Sequence, residues 1–240
     1  MTSVTGTNGF LSNCINFAGT PTYKYFSLRE GELTAARDDW FATPQIKPYG
    51  DMRNWNVSAI KDMSGLFKDN TAFGDGGHLP EEDISGWDVG SALKMDAIFR
   101  GTNFNQDISN WDTSHVTSMN TMFYDAAKFN NGDSAGGYSK PLKTNENKWN
   151  TINVKDVSNM FYGAEAFNQD ISNWNTAKVG TMNSMFKGAK SFNQNINTIG
   201  NNWNTVSVTD MGNMFQDASG FNQDISNWDT GEVTSMSYMF

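Results

Sequence analysis

Cysteine is almost absent from this chain: Cys14 is the only one among 240 residues. A single thiol can neither close an intramolecular disulfide nor furnish a cysteine-ligated zinc site. Histidine is nearly as scarce, with only His78 and His115. No metal-spaced His pair, Ser-His-Asp or Cys-His set, or phosphate loop can be named. His78 falls in an inserted loop and His115 reads as an exposed residue at a helix start, so no enzyme is expected. No stretch approaches the roughly 18 consecutive apolar residues of a membrane helix. The first 30 residues lack a basic segment followed by an apolar run, so no secretory signal is read there. Basic charge is also in deficit, 17 Lys and Arg against 26 Asp and Glu, for a formal net charge of −9. Phosphate backbones and anionic membranes call for clustered cations, so neither nucleic acid nor membrane insertion is expected. The acidic balance serves solubility.

What the chain has in quantity is bulky apolar residues of particular kinds: 13 Met, 17 Phe and 8 Trp. Most of them keep a fixed register. Trp55, Trp87, Trp111, Trp149, Trp174, Trp203 and Trp228 are each followed twelve positions later by a phenylalanine: Phe67, Phe99, Phe123, Phe161, Phe186, Phe215 and Phe240. A second phenylalanine follows at Phe73, Phe104, Phe129, Phe167, Phe192 and Phe221. The large variation in length lies between that second ring and the next Trp. A period near 25 residues marks a tandem repeat in which stacked neighbours bury what one unit cannot bury alone. The methionines then read as adaptable core filler rather than as ligands.

From Val179, the residues Met182, Met185, Phe186, Ala189 and Phe192 follow at helical spacing, which predicts a core-facing amphipathic helix in each unit. Thr113, Thr151, Thr176, Thr205 and Thr230 stand just upstream as expected N-caps. The variable half contains FNQDISNW three times, at 104–111, 167–174 and 221–228. It is too short for a helix and predicts a short strand or extended turn with Ile and Trp inward, stacked at about 4.8 Å into a narrow parallel ladder. Insertions rich in Gly, Asn, Ser and Pro enter near 74–80, 130–141 and 197–202, all at this joint, and should emerge along one edge. Residues 1–50 form a tail and helical cap, with Leu33, Ala36 and Trp40 on one helix face; residues 51–240 form the repeat array. The fold class expected is an α/β repeat: a leucine-rich-repeat-like β/α solenoid of about seven units with an N-terminal helical cap.

The segments MFYGAEAFNQDISNWNTAKVGTMNSMF and MFQDASGFNQDISNWDTGEVTSMSYMF closely resemble the repeat of BspA-family leucine-rich-repeat surface proteins, which also occurs in mycoplasma-type surface lipoproteins. LTAARDDW followed by YGDMRNWNVSAIKDMSGLF resembles that family's lead-in. The resemblance covers roughly residues 26–240. It implies cell-surface exposure and a role in adhesion or recognition, and it supplies no catalytic or ligand residue. A fragment, a processed protein or a virion or appendage component would equally lack a visible export signal.

The expected function is therefore a non-enzymatic recognition or adhesion module that presents a repetitive face and edge loops to a host or cell-surface protein or glycan. The candidate face is Gln106, Ser109, Gln169, Ser172, Gln194, Gln223 and Ser226, and the candidate edge loop carries His78, Tyr138 and Lys140. Polar ladders of this kind also simply keep a repeat protein soluble. Asp83, Asp107, Asp170 and Asp224 form an acidic column whose repulsion could be relieved by solvent, a neighbouring amide or a calcium ion. No other cofactor is expected. The alternative is a fibre or filament subunit that self-associates end to end through the C-terminal unit, since the sequence reaches Phe240 without a polar capping unit.

Overall fold

The structure is a computed structural model that describes residues 26–42, 48–74, 80–132, 141–144, 148–198 and 202–240. Cys14, His78, Tyr138 and Lys140 lie outside the described residues. At the N-terminal end a two-residue strand β1 (Phe26–Ser27) pairs in parallel with β2 (Trp55–Asn56), Phe26 opposite Trp55. Between them, among the described residues, lies the α-helix α1 (Leu33–Ala42). Its spacing is as expected: Leu33, Ala36 and Trp40 are buried on one face. Trp40 meets Trp55 edge-on, with ring centroids 6.2 Å apart, and its indole N–H donates to the Glu82 carboxylate at 3.0 Å. Arg37 reaches across to the carbonyl of Leu66.

Beyond the cap, seven units stack through a run of parallel bridges, Asp62 to Lys94 to Ser118 to Asp156 to Thr181 to Asp210 to Ser235. These positions are equivalent in every unit, two residues beyond the position of Val179. The backbone between units is bonded with the same regularity. In the third unit the N–H groups of Met119, Thr121, Phe123 and Asp125 donate to the carbonyls of Asp156, Ser158, Met160 and Tyr162, at 2.7–3.1 Å. The same four positions repeat in the pairs before and after, down to Phe215 donating to Met239. At the first unit, where no earlier unit stands, Glu30 substitutes: its two carboxylate oxygens accept the N–H groups of Lys61 and Asp62 at 2.9 and 2.7 Å.

This segment is not the amphipathic helix that the spacing predicts. Alternate N–H groups leave for the next unit, and those between them close i to i−3 turns, such as Met122 to Met119 and Tyr124 to Thr121. The chain also enters the left-handed region every fourth residue. In the fifth unit Ser184 has φ 54° and Gly188 φ 71°; in the third, Thr121 has φ 53° and Asp125 φ 54°. An α-helix tolerates neither feature. A chain that turns at a left-handed residue every four positions buries side chains at spacings of three and four, as a helix does, and the two therefore share one sequence pattern. The parallel ladder lies on this half of the unit, and not on the FNQDISNW half where it was expected.

One buried cluster runs from Leu28 to Met239. Its centre is a double column of rings. Phe67, Phe99, Phe123, Phe161, Phe186 and Phe215 stack at 5.4–5.9 Å from unit to unit. Within each unit the second phenylalanine lies 3.8–4.0 Å from the first. Stacked pairs of this kind contribute about 0.5–1.5 kcal/mol each beyond their buried area. Leu142 fills the place that Ile takes in the other units. It is 4% exposed, and its N–H bonds to Gln169 as that of Ile84 bonds to Gln106.

Candidate binding surface

The polar residues of the FNQDISNW segment are mostly turned to the neighbouring unit. Gln106 is 6% exposed and Gln169 5% exposed. The Gln106 carboxamide accepts from Ile84 N–H and donates to the Glu82 carbonyl, both at 3.1 Å. Gln169 does the same between Leu142 N–H and the Asn130 carbonyl. Gln194 and Gln223 are half-buried and donate back to Asn168 and Asn193 respectively. Beside them runs a column of asparagines: the N–H of Asn130, Asn168, Asn193 and Asn222 each bonds to the side-chain oxygen of the asparagine one unit earlier, at 2.8–3.0 Å. Gln106 and Gln169 are therefore cross-links inside the stack and not an outward face, whereas Gln194 and Gln223 are bonded to the neighbouring unit and remain partly exposed. A carboxamide carries both donor and acceptor, which is what joining two backbones requires.

The serines and aspartates of the same segment are paired locally. Ser109, Ser172 and Ser226 each donate a backbone N–H to the aspartate two residues earlier, Asp107, Asp170 and Asp224, at 2.8–3.0 Å. Asp83 accepts likewise from Ser85. The bonds from Ser226 hold the Asp224 carboxyl below its ordinary range. The acidic column consists of turn caps, and among the described residues no three His, Cys, Asp or Glu side chains gather closely enough to hold a metal ion. The threonines expected as N-caps have no helix to cap. Thr113, Thr151, Thr176 and Thr205 are essentially fully buried, and each hydroxyl donates to a carbonyl of the next unit: Asn150, Asn175, Asn204 and Asp229.

Two further columns face outward. On the ladder side, Tyr124 and Tyr162 stack at 4.4 Å, with Arg100 over the first ring at 4.9 Å and Lys187 over the second at 5.4 Å. Burial, then the Asp125 carboxylate and Tyr162, push the Tyr124 phenol up. On the joint side stands the residue after each Trp. Asn56, Asp88, Asp112, Asn150, Asn175, Asn204 and Asp229 all accept, through one side-chain oxygen, the N–H two residues on, at 2.8–3.1 Å. For Asp112 burial pushes the carboxyl up, but bonds from Ser114 with Lys148 and His115 nearby outweigh it, and the net shift is down. His115 itself is exposed, its Nδ1 2.9 Å from the Gly90 carbonyl.

In the last units this column borders an open groove of about 540 Å³. Its described lining includes Asn175, Ala177, Thr198, Asn204, Val206 and Asp229. Thr198 belongs to the third insertion, so the groove lies where an edge insertion leaves the stack. The oxygens of Asn175 and Asn204 accept the N–H of Ala177 and Val206; among the described residues their amide nitrogens have no partner. Val206 is 46% exposed, and Ile152, at the same position two units earlier, 42%. Trp203 also lines the groove. Trp87, Trp111, Trp149 and Trp228 donate their indole N–H to a carbonyl of an earlier unit, whereas the buried Nε1 atoms of Trp203 and Trp174 have no acceptor among the described residues. The regular Asn or Asp after each Trp was the sequence signal for this column; the groove itself carries none.

The family model for the mycoplasma proteins of unknown function DUF285 matches residues 39–140 and again 136–240. The chain belongs to this family. The paired match divides the stack near the second insertion, so each half of the chain carries the family's pattern by itself. No curated protein and no solved structure matches at a significant level.

Proposed function

We propose that this DUF285 protein is a non-enzymatic surface recognition or adhesion module, a BspA-like leucine-rich-repeat solenoid that works at the cell surface or outside the cell. Its partner is a host or cell-surface protein or glycan. The observation that carries this reading is the placement of the open groove. It lies at the joint where the third insertion enters, beside Asn175 and Asn204, whose amide nitrogens have no partner among the described residues, while Gln106 and Gln169 of the FNQDISNW segment are occupied within the stack. Recognition therefore moves from the glutamine column to the edge. The test is a screen of the full 240-residue chain against immobilised extracellular-matrix proteins and oligosaccharides, beside a variant with residues 133–140 replaced by a short Gly-Ser link. Saturable binding by the full chain, altered in strength or selectivity by the replacement, supports the reading; no binding to either class of surface sinks it.

The second reading is a filament subunit that self-associates end to end. Sedimentation velocity at rising concentration tests it: a monomer at every concentration counts against end-to-end assembly.

A further inference from the structure

We infer that the groove between Asn175 and Asp229 is a subsite for an uncharged glycan. The inference rests on the recognition reading above and names the ligand class of its edge. The described lining contains no Lys, Arg or His and one acid, Asp229, so nothing there attracts a phosphate, sulfate or carboxylate. What it offers is neutral and repeated. Asn175, Asn204 and Asp229 occupy the same position, directly after the Trp, in three successive units. Each holds one oxygen on the N–H two residues later. That bond fixes the side chain and leaves the second atom outward: an amide nitrogen, an amide nitrogen and a carboxylate oxygen.

Two donors followed by an acceptor in successive units match a sugar, whose neighbouring hydroxyls both give and take hydrogen bonds. An extended peptide is the poorer fit. It binds by adding its backbone to a free sheet edge, and here the backbone N–H groups of Ala177, Val206 and Gly231 are already bonded to the column. The methyl groups of Ala177 and Val206 flank the polar column and suit the apolar C–H face of a pyranose ring.

The test is a glycan array carrying neutral oligosaccharides of hexose and N-acetylhexosamine units beside sialylated and sulfated ones, with immobilised matrix proteins on the same slide. Val206→Arg fills the groove from an exposed position. Ile152→Arg places the same side chain at the equivalent exposed position two units away, outside the lining, and controls for charge and folding; both variants should melt within a few degrees of the parent chain. The expected result is binding to neutral glycans, weakened at least tenfold by V206R and unchanged by I152R. Equal binding by the two variants, or binding confined to charged glycans, overturns the groove assignment. Binding to the proteins alone overturns the glycan inference and leaves the recognition reading standing, and silence from every surface sinks both.

Discussion

The two halves of each unit are held to their neighbours by different means. In the half from Trp to Phe, backbone bonds to backbone: four N–H groups per unit reach the carbonyls of the next, whichever side chains they carry. In the joint from Phe to Trp, side chains do the joining. An asparagine accepts the next asparagine's N–H, a glutamine bridges to the previous unit and an indole N–H reaches back. A backbone ladder requires every residue to keep its register, because one extra residue moves all later side chains to the wrong side. Side chains joined from either flank of a loop leave the length between them open. This is why the Trp-to-Phe distance is constant and all three insertions enter at the joint.

That contrast can be broken most directly by length. One glycine inserted between Asn183 and Ser184 displaces the left-handed positions at Ser184 and Gly188 and the register of Met185 and Phe186 with both neighbouring units. It should abolish cooperative unfolding in calorimetry. The same glycine placed within 199–201 should lower stability by no more than about 0.6 kcal/mol, since loop closure grows only slowly with length. Equal losses at the two places would refute the distinction. Next in size is Phe161→Ala. Phe161 is fully buried, 3.8 Å from Phe167 and between Phe123 and Phe186 in the ring column, and urea unfolding should show a loss of about 3–5 kcal/mol.

Gln169→Ala should follow at about 1–3 kcal/mol, because it strands Leu142 N–H in a buried site. Gln223→Ala, at a half-buried position with a bond to the Asn193 side chain, should cost less than half as much. A loss at Gln223 equal to that at Gln169 would show that the glutamines do not act as interior cross-links. The smallest effect is on acid stability. Asp112 has its folded pKa depressed, so its contribution is present above its ordinary range and lost as pH falls through the folded value, below about pH 4. Asp112→Asn should flatten that part of the stability curve and leave neutral pH nearly unchanged, as read by melting temperature against pH.

The repeat, its constant half and the single entry point of the insertions were legible in the chain because they are statements about spacing. The N-terminal helix was legible as well, since Leu33, Ala36 and Trp40 have no second interpretation beside a Trp-rich end. The repeated helix was misread for a physical reason: Val179 to Phe192 buries positions three and four apart, and only backbone angles at Ser184 and Gly188 separate a helix from a run of left-handed turns. Non-glycine residues at φ near 55°, among them Thr121 and Ser184, give no warning in sequence. The candidate face failed differently. A polar residue repeated once per unit looks the same whether it faces water or a neighbouring backbone, and Gln106 and Gln169 face the backbone. Leu142 was hidden because the longest insertion displaces it from the Trp it serves.

The bonds between units all run along the direction in which the units are stacked. A force applied to the two ends of the stack would therefore load them one interface after another, in series, and the weakest interface would yield while the others held. Each unit of about 25 residues that peels away would release on the order of 85 Å of extended chain and leave its neighbour with an intact ladder. A tether built in this way lengthens in steps under tension, so a molecule gripped at its edge could be held through repeated tugging without the whole stack unravelling.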